Sequence, residues 1–191
     1  MEMGALVNIR AFLAIPLGEL FHSELELFIN KLKQRYPSVC WVSQQAVHLT
    51  LHFFGPISMQ QVEEISRSLR PSLETAASFE IFLEGVGAFP DFRNARVFWV
   101  GFGGGIENLK QIQTSMERIL LESGFPSEER AFLPHATIGR LWGRKSPDGI
   151  EKIHFSKTSS QRINEIILYQ SHLTSKGPEY RPLRRYALKA S

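Results

Sequence analysis

Two short segments with the same residue pattern place the strongest constraint on the fold of this chain. His48-Leu49-Thr50-Leu51 and His135-Ala136-Thr137-Ile138 both read histidine, apolar, threonine, apolar, and they lie 87 residues apart. Successive residues of a β-strand point to opposite faces, so each histidine shares a face with its own threonine. Two such strands placed side by side would bring two imidazoles and two hydroxyls to one small site.

The segments that precede the two motifs also match. A β-prone segment begins at Arg10, 38 residues before His48, and another begins at Arg96, 39 residues before His135. Each is followed by a long stretch with apolar residues at helical spacing, and then by the motif strand. We interpret this order as an internal duplication with approximate two-fold symmetry, rather than as a chance likeness between amphipathic elements.

Apolar periodicity and turn residues predict the remaining elements. One helix is expected at 18–35, a second is capped by Ser58, and a third follows the glycines at 103–105 and ends at Gly124. Strands are expected at 9–17, 40–43, 47–54, 79–89, 95–102, 135–141, 162–173 and 180–188, with 79–89 and 95–102 forming a hairpin.

Composition narrows the function class only modestly. The net charge of +3 and pI near 9.1 suit an anionic substrate without requiring one. The single cysteine, Cys40, excludes an internal disulfide and a cysteine-based metal cluster, and we expect its side chain to be buried. No apolar run approaches the ~18 residues of a spanning helix, so we expect no membrane partner and a cytoplasmic location in a reducing compartment.

The motifs resemble those of the 2H phosphoesterase superfamily, and within it the bacterial 2′-5′ RNA ligase family, also described as RNA 2′,3′-cyclic phosphodiesterases. The similarity covers nearly the whole chain. The matching segments are Arg10–Ile15, His48–Gly55, Arg96–Gly101, Pro134–Arg140 and Tyr180–Leu183.

This resemblance implies a bilobal α+β fold over residues 1–191, treated as one domain. It has two pseudo-symmetric lobes, whose antiparallel sheets face each other across a central cleft with the helices outside. It also implies hydrolysis of RNA ends that carry a 2′,3′-cyclic phosphate to a 2′-phosphate, with the reverse reaction as a 2′-5′ ligase. We expect a monomer that uses no cofactor and no metal.

The same chemistry assigns roles to individual residues. One histidine must remove a proton from the attacking water and the other must protonate the leaving ribose oxygen, so His48 and His135 are the predicted catalytic pair. The sequence does not fix which is the base, although we favour His135. Thr50 and Thr137 are predicted to bind the non-bridging phosphate oxygens.

Arg140 resembles the phosphate-binding arginine of the family, but strict alternation places it opposite to His135 and Thr137. A bulge or the end of the strand must redirect its side chain if it is to reach the phosphate. His52 departs from the family pattern. Alternation puts it beside His48, where a shared metal is conceivable, but no third ligand is evident, and we expect a cleft-edge or solvent-facing residue.

Two other functions remain open from the sequence. The chain could be a non-catalytic RNA-binding module that kept the cleft, or a phosphodiesterase that acts on small cyclic nucleotides. RNA binding that is insensitive to substitution of His48 and His135 would indicate the first, and equal turnover of mononucleotides and oligonucleotides would indicate the second.

Overall fold

The computed structural model describes residues 8–190 except positions 129, 144 and 176. Over these residues the chain forms three α-helices, α1 (Glu19–Arg35), α2 (Met59–Thr75) and α3 (Ile106–Glu122). The strands are β1 (Ile9–Pro16), β2 (Cys40–Trp41), β3 (His48–Ile57), β4 (Phe79–Phe89), β5 (Val97–Gly104), β6 (His135–Arg140), β7 (Gln161–Ile163), β8 (Glu165–Thr174) and β9 (Gly177–Ala187).

Local sequence signals account for these elements. Helix α2 begins after Ser58, whose hydroxyl accepts a hydrogen bond from Gln61 N, while the Gln61 side chain accepts one from Ser58 N. This reciprocal capping satisfies two backbone donors that a helix start leaves free. Helix α2 then buries Val62, Ile65 and Leu69 at helical spacing, and the prediction of a helix capped by Ser58 is confirmed.

This cap should contribute to the stability of the protein. We expect Ser58→Ala to lower the free energy of unfolding by about 1 kcal/mol, because the backbone donor at Gln61 loses its partner. Urea denaturation of this variant beside Ser127→Ala, at an exposed loop position, checks the expectation. Equal unfolding free energies for the two variants would contradict it.

The strands form one antiparallel sheet in the order β7-β4-β5-β6-β3-β1-β8-β9, with β2 also pairing with β6. The sheet divides into two halves of four strands, β7-β4-β5-β6 and β3-β1-β8-β9. In one half β1 leads through α1 to β3, and in the other β5 leads through α3 to β6. The expected two-lobed α+β fold is thereby confirmed, with the lobes joined where β3 meets β6.

The core lies between one face of this sheet and the helices. Helix α1 contributes Phe21, Leu25 and Ile29, and α3 contributes Leu109 and Met116, all buried. Because the helices cover this face, the polar residues of the motif strands must lie on the other face.

Cys40 corrects one expectation, because its side chain is exposed rather than buried. It lies in the two-residue strand β2 between Val39, which is buried, and Trp41, which packs on the ring of Phe98. The neighbours occupy the core-facing side, so alternation turns Cys40 to solvent.

Candidate active site

The two motif strands lie next to each other and meet at a single residue pair, Leu49 with Ala136. Both of these residues are buried on the core face. The two predicted histidines and two predicted threonines are half-buried on the opposite face: His48, Thr50, His135 and Thr137. The structure therefore brings the four residues together around the Leu49–Ala136 pair.

The antiparallel register fixes how these four side chains are arranged. Continued by one residue to either side of the Leu49 pair, this register sets His48 toward Thr137 and Thr50 toward His135. Residues directly opposite have Cβ atoms ~5 Å apart, and diagonal neighbours lie ~7–8 Å apart. With these spacings the two histidines would occupy one diagonal and the two threonines the other, with room for one phosphate group between them.

Both imidazoles are held in the same way. His48 Nδ1 donates to the carbonyl oxygen of Ala46 at 2.9 Å, and His135 Nδ1 donates to that of Leu133 at 2.7 Å. A carbonyl oxygen only accepts, so the proton resides on Nδ1 and the Nε2 atom of each neutral ring carries a lone pair. The backbone two residues upstream thus sets the tautomer in which Nε2 can take or deliver a proton.

Aromatic side chains from other strands hold the two rings in place. Tyr180 packs edge-on against His48 with centroids 5.0 Å apart, and Phe89 packs edge-on against His135 at the same distance. Phe12 lies 4.8 Å from the His48 ring and Trp99 lies 6.2 Å from that of His135. Only knowledge of the strand pairing would have revealed these neighbours.

Burial shapes the acid-base properties of the pair. Desolvation lowers the pKa of His48 to about 4; the Ala46 carbonyl opposes this shift, and the charges of His135 and Arg140 add to it. Desolvation also lowers the pKa of His135, with the Leu133 carbonyl opposing and Arg140 adding. Both rings are therefore neutral near pH 7 until an anion arrives to stabilise a protonated form.

Arg140 reaches this site because strand β6 contains a bulge. Phe98 pairs with Gly139 and Trp99 pairs with Thr137, so Ile138 has no partner on β5. A Cβ at Gly139 would lie 2.8 Å from the Trp41 ring, which shows that Gly139 still faces the core. The next residue, Arg140, is thus turned to the histidine face, where its charge acts on both histidines.

Strand β3 carries the equivalent bulge, and this overturns the prediction for His52. Leu13 pairs with His52 and Ala14 pairs with Thr50, so Leu51 has no partner on β1. His52 is turned to the core side, is 2% exposed, and donates from Nδ1 to Glu117 Oε1 at 2.7 Å. Because His48 and His52 point to opposite faces, they cannot share one metal ion.

A cavity of about 550 Å³ opens beside His48. Its wall includes the half-buried Tyr169 and Tyr180, and burial raises the pKa of both phenols, so they remain protonated at neutral pH. His22 also lines it, although sequence reasoning assigned that residue no role. The cavity is much larger than a phosphate group and therefore offers space for a bulkier part of a ligand.

An antiparallel α+β protein with two histidine-threonine pairs on one sheet face has the architecture of a 2H phosphoesterase. Residues 21–174 match the model of the 2′-5′ RNA ligase superfamily. The chain belongs to this superfamily, and the resemblance noted from its motifs is confirmed.

Individual sequence relatives support the same family assignment. The chain is 31% identical over 186 residues to an RNA 2′,3′-cyclic phosphodiesterase of Methanothermobacter thermautotrophicus, covering 95% of this chain and 100% of that protein. It is 34% identical over 181 residues to one of Thermotoga maritima, covering 91% and 92%.

Solved structures share the fold over nearly the whole chain. A protein of Thermus thermophilus superposes with a TM-score of 0.81 at 23% identity, covering 95% of this chain and 99% of that one. Escherichia coli LigT in complex with 3′-AMP superposes with a TM-score of 0.76 at 25% identity and the same coverage. Within the described part of the chain, no helix combines the length and apolar character needed to cross a membrane.

Proposed function

We propose that this protein is an RNA 2′,3′-cyclic phosphodiesterase that hydrolyses terminal cyclic phosphates to 2′-phosphates by two-histidine acid-base catalysis. The observation that carries the proposal is the pairing of β3 with β6, which sets two imidazoles with available Nε2 atoms and two threonines around one space. The relatives described above bear the name of this activity.

The reaction follows from the placement of the two rings. One Nε2 takes a proton from water while the water oxygen attacks phosphorus, the bond from phosphorus to O3′ breaks, and the other Nε2 delivers a proton to O3′. His48 borders the cavity that would hold the nucleoside, so we assign it as the acid and His135 as the base. Because both rings are neutral in the free protein, we infer that the bound phosphate anion raises the pKa of His48 and allows its protonation.

The phosphate group is bound by Thr50, Thr137 and Arg140, which take no part in the proton transfers. Their hydroxyl and guanidinium groups are donors, and donors aimed at non-bridging oxygens gain strength as negative charge accumulates in the transition state. Attack by an RNA 5′-hydroxyl in place of water would form the 2′-5′ linkage through the same groups.

The cavity beside His48 supports a substrate that carries a nucleoside in addition to its phosphate group. Its tyrosines offer faces on which bases stack, and base-aromatic stacking is largely independent of sequence. A second candidate substrate is a small cyclic nucleotide, favoured by the likeness to a LigT structure that holds 3′-AMP. Turnover of a 2′,3′-cyclic mononucleotide compared with that of an oligonucleotide separates the two. The cytoplasmic location and the monomeric state remain predictions.

The central test is a product assay without metal. Incubation of a 2′,3′-cyclic-phosphate oligonucleotide with the protein and excess EDTA should yield only the 2′-phosphate product, at the rate seen without EDTA, because the proposed proton transfers need no metal. Chromatography against authentic 2′- and 3′-phosphate standards identifies the product. Release of a 3′-phosphate, loss of turnover with EDTA, or RNA binding without turnover would each refute the proposal.

A further inference from the structure

The imidazole of His52 is buried behind the motif strand and is fixed by a carboxylate from a helix. Its Nδ1 donates to Oε1 of Glu117 on α3, and the Glu117 side chain is itself only 17% exposed. The same Oε1 accepts a second hydrogen bond from Gln113 Nε2 at 3.2 Å. The ring of Phe54 packs on His52 with centroids 4.5 Å apart, so the imidazole is held both by hydrogen bonding and by packing.

Glu117 also reaches the chain that leads into the second motif. Its Oε2 accepts a hydrogen bond from the backbone nitrogen of Glu128 at 3.3 Å. The carboxylate of Glu128 in turn accepts one from the backbone nitrogen of Phe53 at 3.1 Å. These contacts form a closed bridge from β3 through α3 to the segment between α3 and β6, and back to β3.

This bridge lies where the two motif strands would otherwise be weakly connected. The ladder between β3 and β6 consists of the single pair Leu49 with Ala136. Past the bulge at Leu51, the backbone nitrogen of Phe53 bonds to the Glu128 carboxylate. The Glu128 side chain, which belongs to the segment before β6, therefore bonds to a backbone donor of β3 that β6 itself does not pair with.

We propose that His52, Glu117 and Glu128 are positioning residues that fix the distance between the two motif strands, and with it the spacing of the two catalytic Nε2 atoms. This inference rests on the proposed function, because the spacing matters only if both histidines act on one phosphorus. None of the three residues needs to touch the substrate, so loosening the bridge should slow the chemical step more than it weakens binding.

The test compares kcat and KM for cyclic-phosphate oligonucleotide hydrolysis in three variants. Glu128 is exposed, so Glu128→Ala leaves the core intact. His52→Leu removes the buried hydrogen-bond donor, and His52→Asn keeps a donor near the position of Nδ1. We expect Glu128→Ala and His52→Leu to lower kcat by about 10- to 100-fold with KM within about 2-fold, since small misplacement of catalytic groups has effects of that size. His52→Asn should recover most of the lost kcat.

Two additions make the result decisive. Glu122→Gln, at an exposed ion pair on the same helix, is the matched control and should leave kcat unchanged. NMR of the His48 and His135 ring nitrogens during titration with inorganic phosphate reports on their geometry without turnover, and the wild type and Glu128→Ala should differ. The proposal is overturned if Glu128→Ala matches the wild type in kcat and in these titrations, or if His52→Asn is no better than a folded His52→Leu. Absence of turnover in the wild type would instead count against the proposed function.

Discussion

Replacement of either motif histidine by alanine should reduce kcat/KM for a cyclic-phosphate oligonucleotide by about 10²- to 10⁴-fold, the range measured for removal of a general acid or base. We expect similar losses for His48 and His135, because in the proposed mechanism each serves one side of the same in-line displacement. The measurement is steady-state hydrolysis at a pH where the wild type is fully active.

Controls separate this loss from damage to the fold. His154→Ala, at an exposed position with no motif around it, should retain wild-type activity. The double variant of His48 and His135 should be little worse than either single variant, since groups that act as one unit are strongly non-additive. Full activity in either single variant would remove that histidine from the mechanism.

Arg140→Gln should lower kcat/KM by about 10²- to 10³-fold, as expected for loss of one donor to a charge that develops in the transition state. It should also change the pH dependence. The positive charge of Arg140 lowers the pKa of both His48 and His135, so its removal raises both values. The proposed mechanism requires one protonated and one neutral ring, and both pKa values lie below the usual ~6.5, so the kcat/KM optimum of the wild type should be acidic.

The optimum of the Arg140→Gln variant should therefore move to higher pH, which a profile of kcat/KM against pH will show. Arg118→Gln, at an exposed ion pair on α3, is the matched control and should leave both rate and profile unchanged. A profile of Arg140→Gln that coincides with that of the wild type, or moves toward acid, would show that this guanidinium does not act on the histidine pair.

The motif strands were predictable because their pattern is local. A histidine and a threonine two residues apart share a face of any regular strand, and the matched spacing before each motif indicated that the two strands play equivalent parts in two lobes. The helices were predictable for the same reason, since Ser58 and the apolar spacing after it act within a few residues.

Alternation failed three residues beyond each histidine, where a bulge interrupts the ladder. Leu51 and Ile138 lack a partner on the neighbouring strand, so the residues that follow directly change face. This puts Arg140 on the histidine side and His52 in the core, the reverse of what a regular strand gives. Gly139 is the one local signal, because glycine inside a strand often marks a bulge, while β3 has His52 at the equivalent position.

The environment of the histidines could not be derived from their own segments. Tyr180 and Phe89 reach the rings from strands β9 and β4, which are distant in sequence, and the buried contact of His52 comes from Glu117 on a helix. Such contacts depend on strand order and helix placement, which no single segment specifies.

The most direct measurement is a crystal structure of the protein with its proposed product, a nucleoside 2′-phosphate, bound. Both Nε2 atoms should lie within hydrogen-bond distance of oxygens on the same phosphorus, one from each side, with the hydroxyls of Thr50 and Thr137 on the remaining oxygens. A phosphate bound by only one imidazole, or held elsewhere on the protein, would contradict the account.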